Sequence, residues 1–212
     1  ENWMHLHQQA HGTPGFSEQV WLVRHFRGDI VQLGRLQFER TRLADPFRAY
    51  RAGDRVTILA EPGLRFRQDG QFDGANGISD PAAWVSTLTE GRTITGHPVD
   101  HLGNVSPKTV RLDAADWTPA ARPGDGALFV HIPHNRFKGP LRPDACRQSL
   151  DLAEPFFSRH FPDHDYTAFC TETWLMDTQL RQVLPDDSNI VQFQQLFHPL
   201  PIPEAADRQT LH

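Results

Sequence analysis

The chain has 212 residues, 38% of them hydrophobic, with a formal net charge of −5 and a pI near 6.2. This length accommodates one large or two small domains with a full core, and 17 prolines with 15 glycines predict a globular chain rich in turns. The acidic balance argues against a nucleic-acid partner, and no apolar run approaches the ~18 residues of a membrane span.

Two short helices are predicted at the start. Apolar positions over residues 3–27 are interrupted by a Gly-Thr-Pro-Gly breaker at 12–15. Ser17 is a suitable N-cap for the second helix, and Gly28 followed by Asp29 ends it. Because the sequence opens abruptly in a helical pattern, we expect that it is cut from a longer chain.

Residues 30–40 predict a single amphipathic strand. Leu36 and Phe38 share one face, and the polar side chains share the other: Arg35, Gln37 and Glu39. This period of two is that of a strand with one buried face.

Short strands with long connections are predicted over residues 41–126. The clearest is 55–60, after a turn at Gly53 and Asp54. The remaining segments predict a strand at 64–67, one or two helical turns at 81–88 with Trp84 facing inward, and a hairpin of 92–99 with 108–112.

Residues 126–170 follow the strand–helix–strand order of a βαβ unit. The apolar runs 127–133 and 166–170 predict the two strands, and the helix between them carries one apolar stripe: Cys146, Leu150, Ala153, Phe157 and Phe161. Pro155 predicts a kink or a restart in this helix, and Pro162 ends it. With the meander before it, this unit predicts an α+β fold whose sheet has mixed, mostly antiparallel pairing.

His131 is the leading candidate for a catalytic group. It ends an otherwise apolar strand, and Pro133 closes the ladder two residues later. Imidazole has an unperturbed pKa of ~6.5 and can take a proton near neutrality. The alternative is a structural histidine bonded to the backbone.

The loop at 139–144 leads into a helix N-terminus, where free N–H groups and the helix dipole favour an anion such as pyrophosphate. Three basic side chains would strengthen such a site: Arg136, Lys138 and Arg142. The alternative is a capped helix start in which Asp144 occupies the donors.

Glu172 and Asp177 follow the second strand of the unit. Either could serve as an alternative base or orient His131, and a solvated strand end is the competing interpretation. Ser188 is expected to cap the last helix, and Cys170 to be an inert, buried thiol.

A metal site is not expected. His131 and His134 lie three apart and His160 and His164 four apart, but no His-Glu-x-x-His motif occurs. The two cysteines are too few for a disulfide framework, so a reduced, cytoplasmic setting is expected. The common hydrolase, P-loop and dinucleotide motifs are also missing.

Several segments in combination resemble a family of bacterial acyltransferase-domain proteins with a GNAT-like C-terminal domain. They are residues 21–28, 33–39, 124–125, 131–133, 139–141, 149–150, 156–157, 161–162, 170–177 and 184–194. The resemblance implies a GNAT-like domain over residues 29–212. Residues 1–28 would be the remnant of a larger helical N-terminal domain.

The resemblance also implies where a thioester donor would bind. The strand containing His131 would splay from its neighbour and pair with the pantetheine arm of an acyl-CoA. The strand end, the following loop and the helix start would then form the donor site: Ile132, Arg136, Lys138, Gly139, Leu141 and Arg142. Because the usual GNAT phosphate-loop motif is missing, an acyl-carrier protein is kept as an alternative donor.

The leading hypothesis is therefore transfer of an acyl group from a thioester to an amine of a small molecule or peptide. His131, with Glu172 as the second candidate, would take the amine proton, and strand N–H groups would meet the oxyanion. The alternatives are a non-catalytic GNAT-like binding or scaffold domain and a metal-dependent hydrolase.

Overall fold

The computed structural model describes residues 2–15, 19–133 and 139–203. Its α-helices are α1 (Asn2–His11), α2 (Gln19–Phe26), α3 (Pro143–His160) and α4 (Asn189–Gln194). The two predicted N-terminal helices are confirmed, whereas the predicted N-cap Ser17 lies outside the described residues. None of the described helices is long and apolar enough to cross a bilayer.

The described strands, in chain order, are β1 (Ile30–Leu33), β2 (Leu36–Arg42), β3 (Phe47–Ala52), β4 (Arg55–Ala60), β5 (Arg65–Phe66), β6 (Trp84–Val85), β7 (Leu88–Thr89), β8 (Thr93–Gly96), β9 (Val110–Asp113), β10 (Thr118–Ala121), β11 (Gly126–His131) and β12 (Ala168–Cys170). The α+β class with mostly antiparallel pairing is confirmed. The strands form four sheets, however, in the orders β1-β2-β11-β12, β10-β3-β4, β5-β6 and β7-β8-β9.

Three predictions for the middle of the chain have different outcomes. The strand at 55–60 and the hairpin that became β8–β9 are confirmed. The helical turns predicted at 81–88 are wrong, because this segment supplies β6 and β7. Trp84 still packs inward, with its ring centroid 5.3 Å from that of Phe66.

The prediction of a single strand over residues 30–40 is also wrong. The segment is a β1–β2 hairpin in which Leu33 pairs with Leu36 across a two-residue turn. Gly34 adopts φ +60°, a left-handed conformation that a glycine reaches at little cost. The apolar residues on both sides of the turn conceal it in the sequence.

The strand–helix–strand unit is confirmed and builds the centre of the mixed sheet. β11 pairs antiparallel with β2 and parallel with β12, and α3 forms the crossover between the parallel strands. The main core lies between this sheet and α3. Its buried members are Leu36, Phe38, Leu128, Val130, Leu141, Cys146, Ala153, Phe157 and Phe193.

The apolar stripe of α3 faces this core as predicted. The helix does not restart at Pro155, which lies inside the single helix Pro143–His160. Pro155 is on the exposed side, where the carbonyl that loses its helical partner can bind water instead. The helix ends before Pro162, as predicted.

α4 fixes the segment that follows β12. The predicted N-cap is confirmed, because Ser188 Oγ accepts from the Val191 amide at 3.2 Å. The buried Gln194 side chain donates to the carbonyls of Leu175 and Asp177 at 2.7 and 2.8 Å. These bonds tie the segment after β12 to α4.

Candidate active site

His131 ends β11 on the sheet face opposite α3. Leu128 and Val130 point into the α3 core, so alternation along the strand turns Phe129 and His131 to the other face. There the His131 ring packs at 4.6 Å from the ring of Phe129 and at 4.7 Å, edge to face, from Trp21 of α2. The imidazole is 19% exposed, which leaves it enclosed but reachable.

A carboxylate holds this imidazole from β2. His131 Nε2 lies 3.0 Å from Glu39 Oε2, and Arg24 of α2 forms an ion pair with the other oxygen of Glu39. Arg24 also lies over the Trp21 ring, 5.3 Å from its centroid. Glu39 therefore links the histidine of the sheet to the cation of the helix above it.

The environment keeps His131 neutral. Burial lowers the pKa of His131 to about 4, and the positive charges of Arg24 and His25 act in the same direction. Glu39 opposes them, because a carboxylate favours the imidazolium. At neutral pH the ring is thus an imidazole that donates its Nε2–H to Glu39 and keeps Nδ1 as a proton acceptor.

The β11–β12 ladder stops beside His131. The parallel register runs from Ala127–Ala168 only to Phe129–Cys170, and the hydroxyl of Thr171 donates to the Val130 carbonyl at 2.9 Å. In-plane backbone groups alternate along a strand, so Ile132, like Val130, turns its N–H toward the β12 side. Within the described residues this amide has no hydrogen-bond partner.

The start of α3 faces the same edge. Arg142 is the N-cap residue, and no side chain caps this end among the described residues. Asp144 does not occupy the helix donors, and its carboxylate instead forms an exposed ion pair with Arg142 at 3.5 Å. The alternative in which Asp144 caps the start of α3 is therefore not observed.

Arg35, in the β1–β2 turn, reaches the connection between β11 and α3. Its guanidinium donates to the carbonyls of Pro133 at 3.0 Å, Gly139 at 3.0 Å and Pro140 at 3.3 Å. Both described ends of this connection are therefore bound to one side chain.

The other predicted site residues differ in their placement. Ile132 packs partly buried against the core, and the buried Leu141 side chain is a core member, which leaves only its backbone for a ligand. Gly139 has φ +72°. Arg136 and Lys138, with His134, lie outside the described residues.

The acidic and sulfur-bearing candidates lie at the end of β12. Glu172 is exposed two residues beyond this strand, and the carboxylate seen on His131 is that of Glu39. Burial raises the pKa of the Cys170 thiol to about 11, as expected of an inert thiol. Across the described ranges, no group of three or more His, Cys, Asp or Glu side chains could hold a metal ion.

An open depression of about 490 Å³ lies beside the part of β2 that extends past β1. Its lining is Arg27, Asp29, Glu39, Arg40, Thr41, Arg42 and His164. Glu39 thus borders both this depression and His131.

Sequence reasoning missed Glu39 as the partner of His131, and it missed Trp21, Arg24 and Arg35. The only available signal was that Glu39 falls on the polar face of its strand. Nothing in the pattern indicates which residue of a distant strand lies opposite it.

The fold and site define an α+β domain in which the parallel pairing of a strand–helix–strand unit ends beside His131, near the start of the crossover helix. The chain belongs to the GNAT-like C-terminal domain family, whose model matches residues 30–212. This confirms the resemblance inferred from the sequence motifs. A comparison with curated protein sequences found no match.

The chain is similar to several solved structures, two of which are described below. One is an acyltransferase in complex with decanoyl-CoA and teicoplanin, which aligns over 92% of this chain with 24% identity and a TM-score of 0.47. The other is an acyltransferase in complex with CoA and 10C-teicoplanin, with the same coverage and TM-score and 25% identity. This chain spans 35% of the length of each.

Proposed function

We propose that this domain is an N-acyltransferase that moves an acyl group from an acyl-CoA thioester to an amine of a small molecule or peptide. The observation that carries the proposal is the neutral imidazole of His131, oriented by Glu39, at the point where β11–β12 pairing stops. Membership in the GNAT-like family supports it.

The donor is proposed to lie along the gap between β11 and β12. The Ile132 amide would pair with the pantetheine arm, and the uncapped start of α3, with Arg142 beside it, would bind the phosphates. Arg136, Lys138, Gly139 and the backbone of Leu141 are proposed to complete this phosphate site.

The acceptor amine must be neutral when it attacks the thioester carbonyl. The C–N bond forms, a strand N–H stabilises the developing oxyanion, and the C–S bond then breaks to release the thiolate. Nδ1 of His131 takes the surplus amine proton, which then passes to the thiolate or to solvent. Glu39 holds the ring and stabilises its transient positive charge, and Glu172 is kept as the second proposed acid–base group.

The test of His131 is the turnover of His131→Gln with decanoyl-CoA and a panel of amines. Turnover is measured as the rate at which the free thiol of CoA is released. Loss of a positioned general base predicts a fall of about 10²–10⁴-fold. His160→Gln is the matched control, because His160 lies on the exposed side of α3. Full activity in a folded His131→Gln protein would remove His131 from the mechanism.

The second candidate is a non-catalytic binding domain, and it is favoured by the missing phosphate-loop motif. Calorimetry with acetyl-CoA and decanoyl-CoA separates the two. Micromolar binding with turnover supports the enzyme, and binding without turnover of any amine supports the binding domain. If neither CoA thioester binds but the thioester of an acyl-carrier protein is turned over, the carrier protein rather than CoA is the donor.

A further inference from the structure

Arg35 is a buried cation without a carboxylate partner in the part of the chain that the structure describes. It is 5% exposed, and its guanidinium donates only to main-chain carbonyls. Burial lowers the pKa of Arg35, yet a guanidinium stays charged in proteins. Such a residue is costly to bury, so its three carbonyl contacts call for a specific reason.

Those contacts join two pieces of backbone that flank the proposed donor site. Pro133 follows Ile132, whose amide faces the gap, and Pro140 lies two residues before Arg142, the N-cap of α3. A planar fork of donors can span two acceptor groups at once, which an ammonium on a flexible stem does less well.

Arg35 is also fixed from its own side. Its backbone N–H donates to Ser149 Oγ of α3 at 2.8 Å, and Ser149 Oγ donates to the Ala145 carbonyl at 2.7 Å. A Cβ on Gly34 would lie 2.7 Å from the same hydroxyl, so the β1–β2 turn sits directly against the helix. The guanidinium is thus anchored to the body of the domain.

We propose that Arg35 is a positioning residue for the thioester donor. It sets the separation between the Ile132 amide and the start of α3, so that the pantetheine arm and the phosphates of one donor can bind together. Its charge, which no carboxylate of residues 2–15, 19–133 or 139–203 neutralises, adds to the positive potential at the helix start. This inference rests on the proposed function, but the clamp itself can be tested without it.

The experiment compares Arg35→Met and Arg35→Lys with a matched control, Arg67→Met. Arg67 is also buried, at 9% exposed, and donates to the carbonyls of Ala75 and Ile78. Unlike Arg35 it also pairs with a carboxylate, that of Asp69 at 2.9 Å, so it controls for the loss of a buried guanidinium away from the donor site. Amide exchange of the ligand-free proteins is measured at His131, which pairs with Gln37 just before the connection, and at Arg142 and Cys146, whose amides donate to the carbonyls of Pro140 and Arg142 just after it. Calorimetry with CoA and steady-state kinetics with decanoyl-CoA follow.

We expect Arg35→Met to accelerate exchange at both ends of the connection. It should raise the Kd for CoA and the KM for the donor by about tenfold or more, because small displacements of positioning groups are costly. The KM for the acceptor should not change. Arg35→Lys should recover part of the donor affinity, and Arg67→Met should lose thermal stability without changing CoA binding.

Unchanged exchange in Arg35→Met would overturn the clamp. Faster exchange with wild-type CoA affinity would overturn the role in donor positioning, as would an equal loss of affinity in Arg67→Met. If the wild-type protein does not bind CoA, the proposed donor fails, while the exchange measurement still decides whether Arg35 holds the two ends.

Discussion

Replacing Glu39 with glutamine tests whether the Glu39 carboxylate supports His131 as a general base by stabilising its protonated ring. Glu39→Gln keeps the size of the side chain and removes the charge that faces both His131 Nε2, at 3.0 Å, and Arg24. The variant can still accept one hydrogen bond but cannot stabilise an imidazolium. Donor binding at the other side of β11 should be unaffected.

The size of the effect follows from the geometry. Two unit charges about 4 Å apart interact by about 4 kcal/mol at an effective dielectric of about 20. Arg24 already neutralises part of the Glu39 charge, so roughly 2–3 kcal/mol of transition-state stabilisation should be lost. At about 1.4 kcal/mol per tenfold, kcat should fall by about 10²-fold.

The loss of stability should be smaller. The Arg24–Glu39 pair is partly exposed, at 30% and 20%, and such pairs contribute about 1 kcal/mol or less. For a chain of this size that is a fall in Tm of about 2–4 °C. A kinetic change without a matching thermal change therefore identifies a role in the chemistry.

Glu61→Gln is the matched control for this experiment. Glu61 pairs with Arg48 at 2.6 Å with side-chain exposures of 18% and 30%, close to those of the Glu39 pair. Thiol release from decanoyl-CoA and thermal unfolding are measured for both variants. Wild-type turnover in Glu39→Gln, or an equal loss in Glu61→Gln, would refute the assignment of Glu39.

Three further predictions concern stability. The folded-state pKa of His131, about 4, lies below the ordinary value of 6.5, so the unfolded chain binds the extra proton. The unfolding free energy should therefore fall between about pH 6.5 and 4, by at most about 3 kcal/mol. Denaturant titrations at several pH values should show that the unfolding free energy of His131→Gln depends less on pH than that of the wild-type protein. An identical pH dependence would contradict the pKa direction. Phe157→Ala removes a ring that is 1% exposed and should cost about 3–5 kcal/mol by the same titration; a cost below about 1 kcal/mol would show that this core site is not closely packed. Gly34→Ala places a methyl group 2.7 Å from Ser149 Oγ at φ +60° and should cost more than about 1 kcal/mol. Adding Ser149→Ala should relieve the contact but not the φ penalty, and a neutral Gly34→Ala would show that the turn has shifted.

Local pattern determined much of the fold. The apolar runs on either side of the stripe with Cys146 and Phe157 are sufficient to predict β11, α3 and β12, because burial of one face imposes a period on the sequence. The Ser188 cap and the 55–60 strand are equally local. His131 could be selected for the same reason, since an ionisable residue at the end of an apolar strand breaks the pattern.

The errors occurred where local signals were ambiguous. The Gly34 turn has apolar residues on both sides, so residues 30–40 have the pattern of one strand rather than a hairpin. Residues 81–88 are short, and their pairing partners decide that they form β6 and β7. Pro155 lies on the solvent side of α3, where the helix continues through it. The hydrophobic period of the sequence alone does not predict that continuity.

The sequence by itself determined the strand–helix–strand unit, the strand at 55–60 and that His131 is a candidate base. Only the tertiary structure decided what surrounds it. Glu39 is 92 residues from His131 in the chain, and Arg35 is 98 residues from Pro133 and 105 from Pro140. Strand register and helix docking bring these groups together, and both depend on the packing of the whole core rather than on any local pattern.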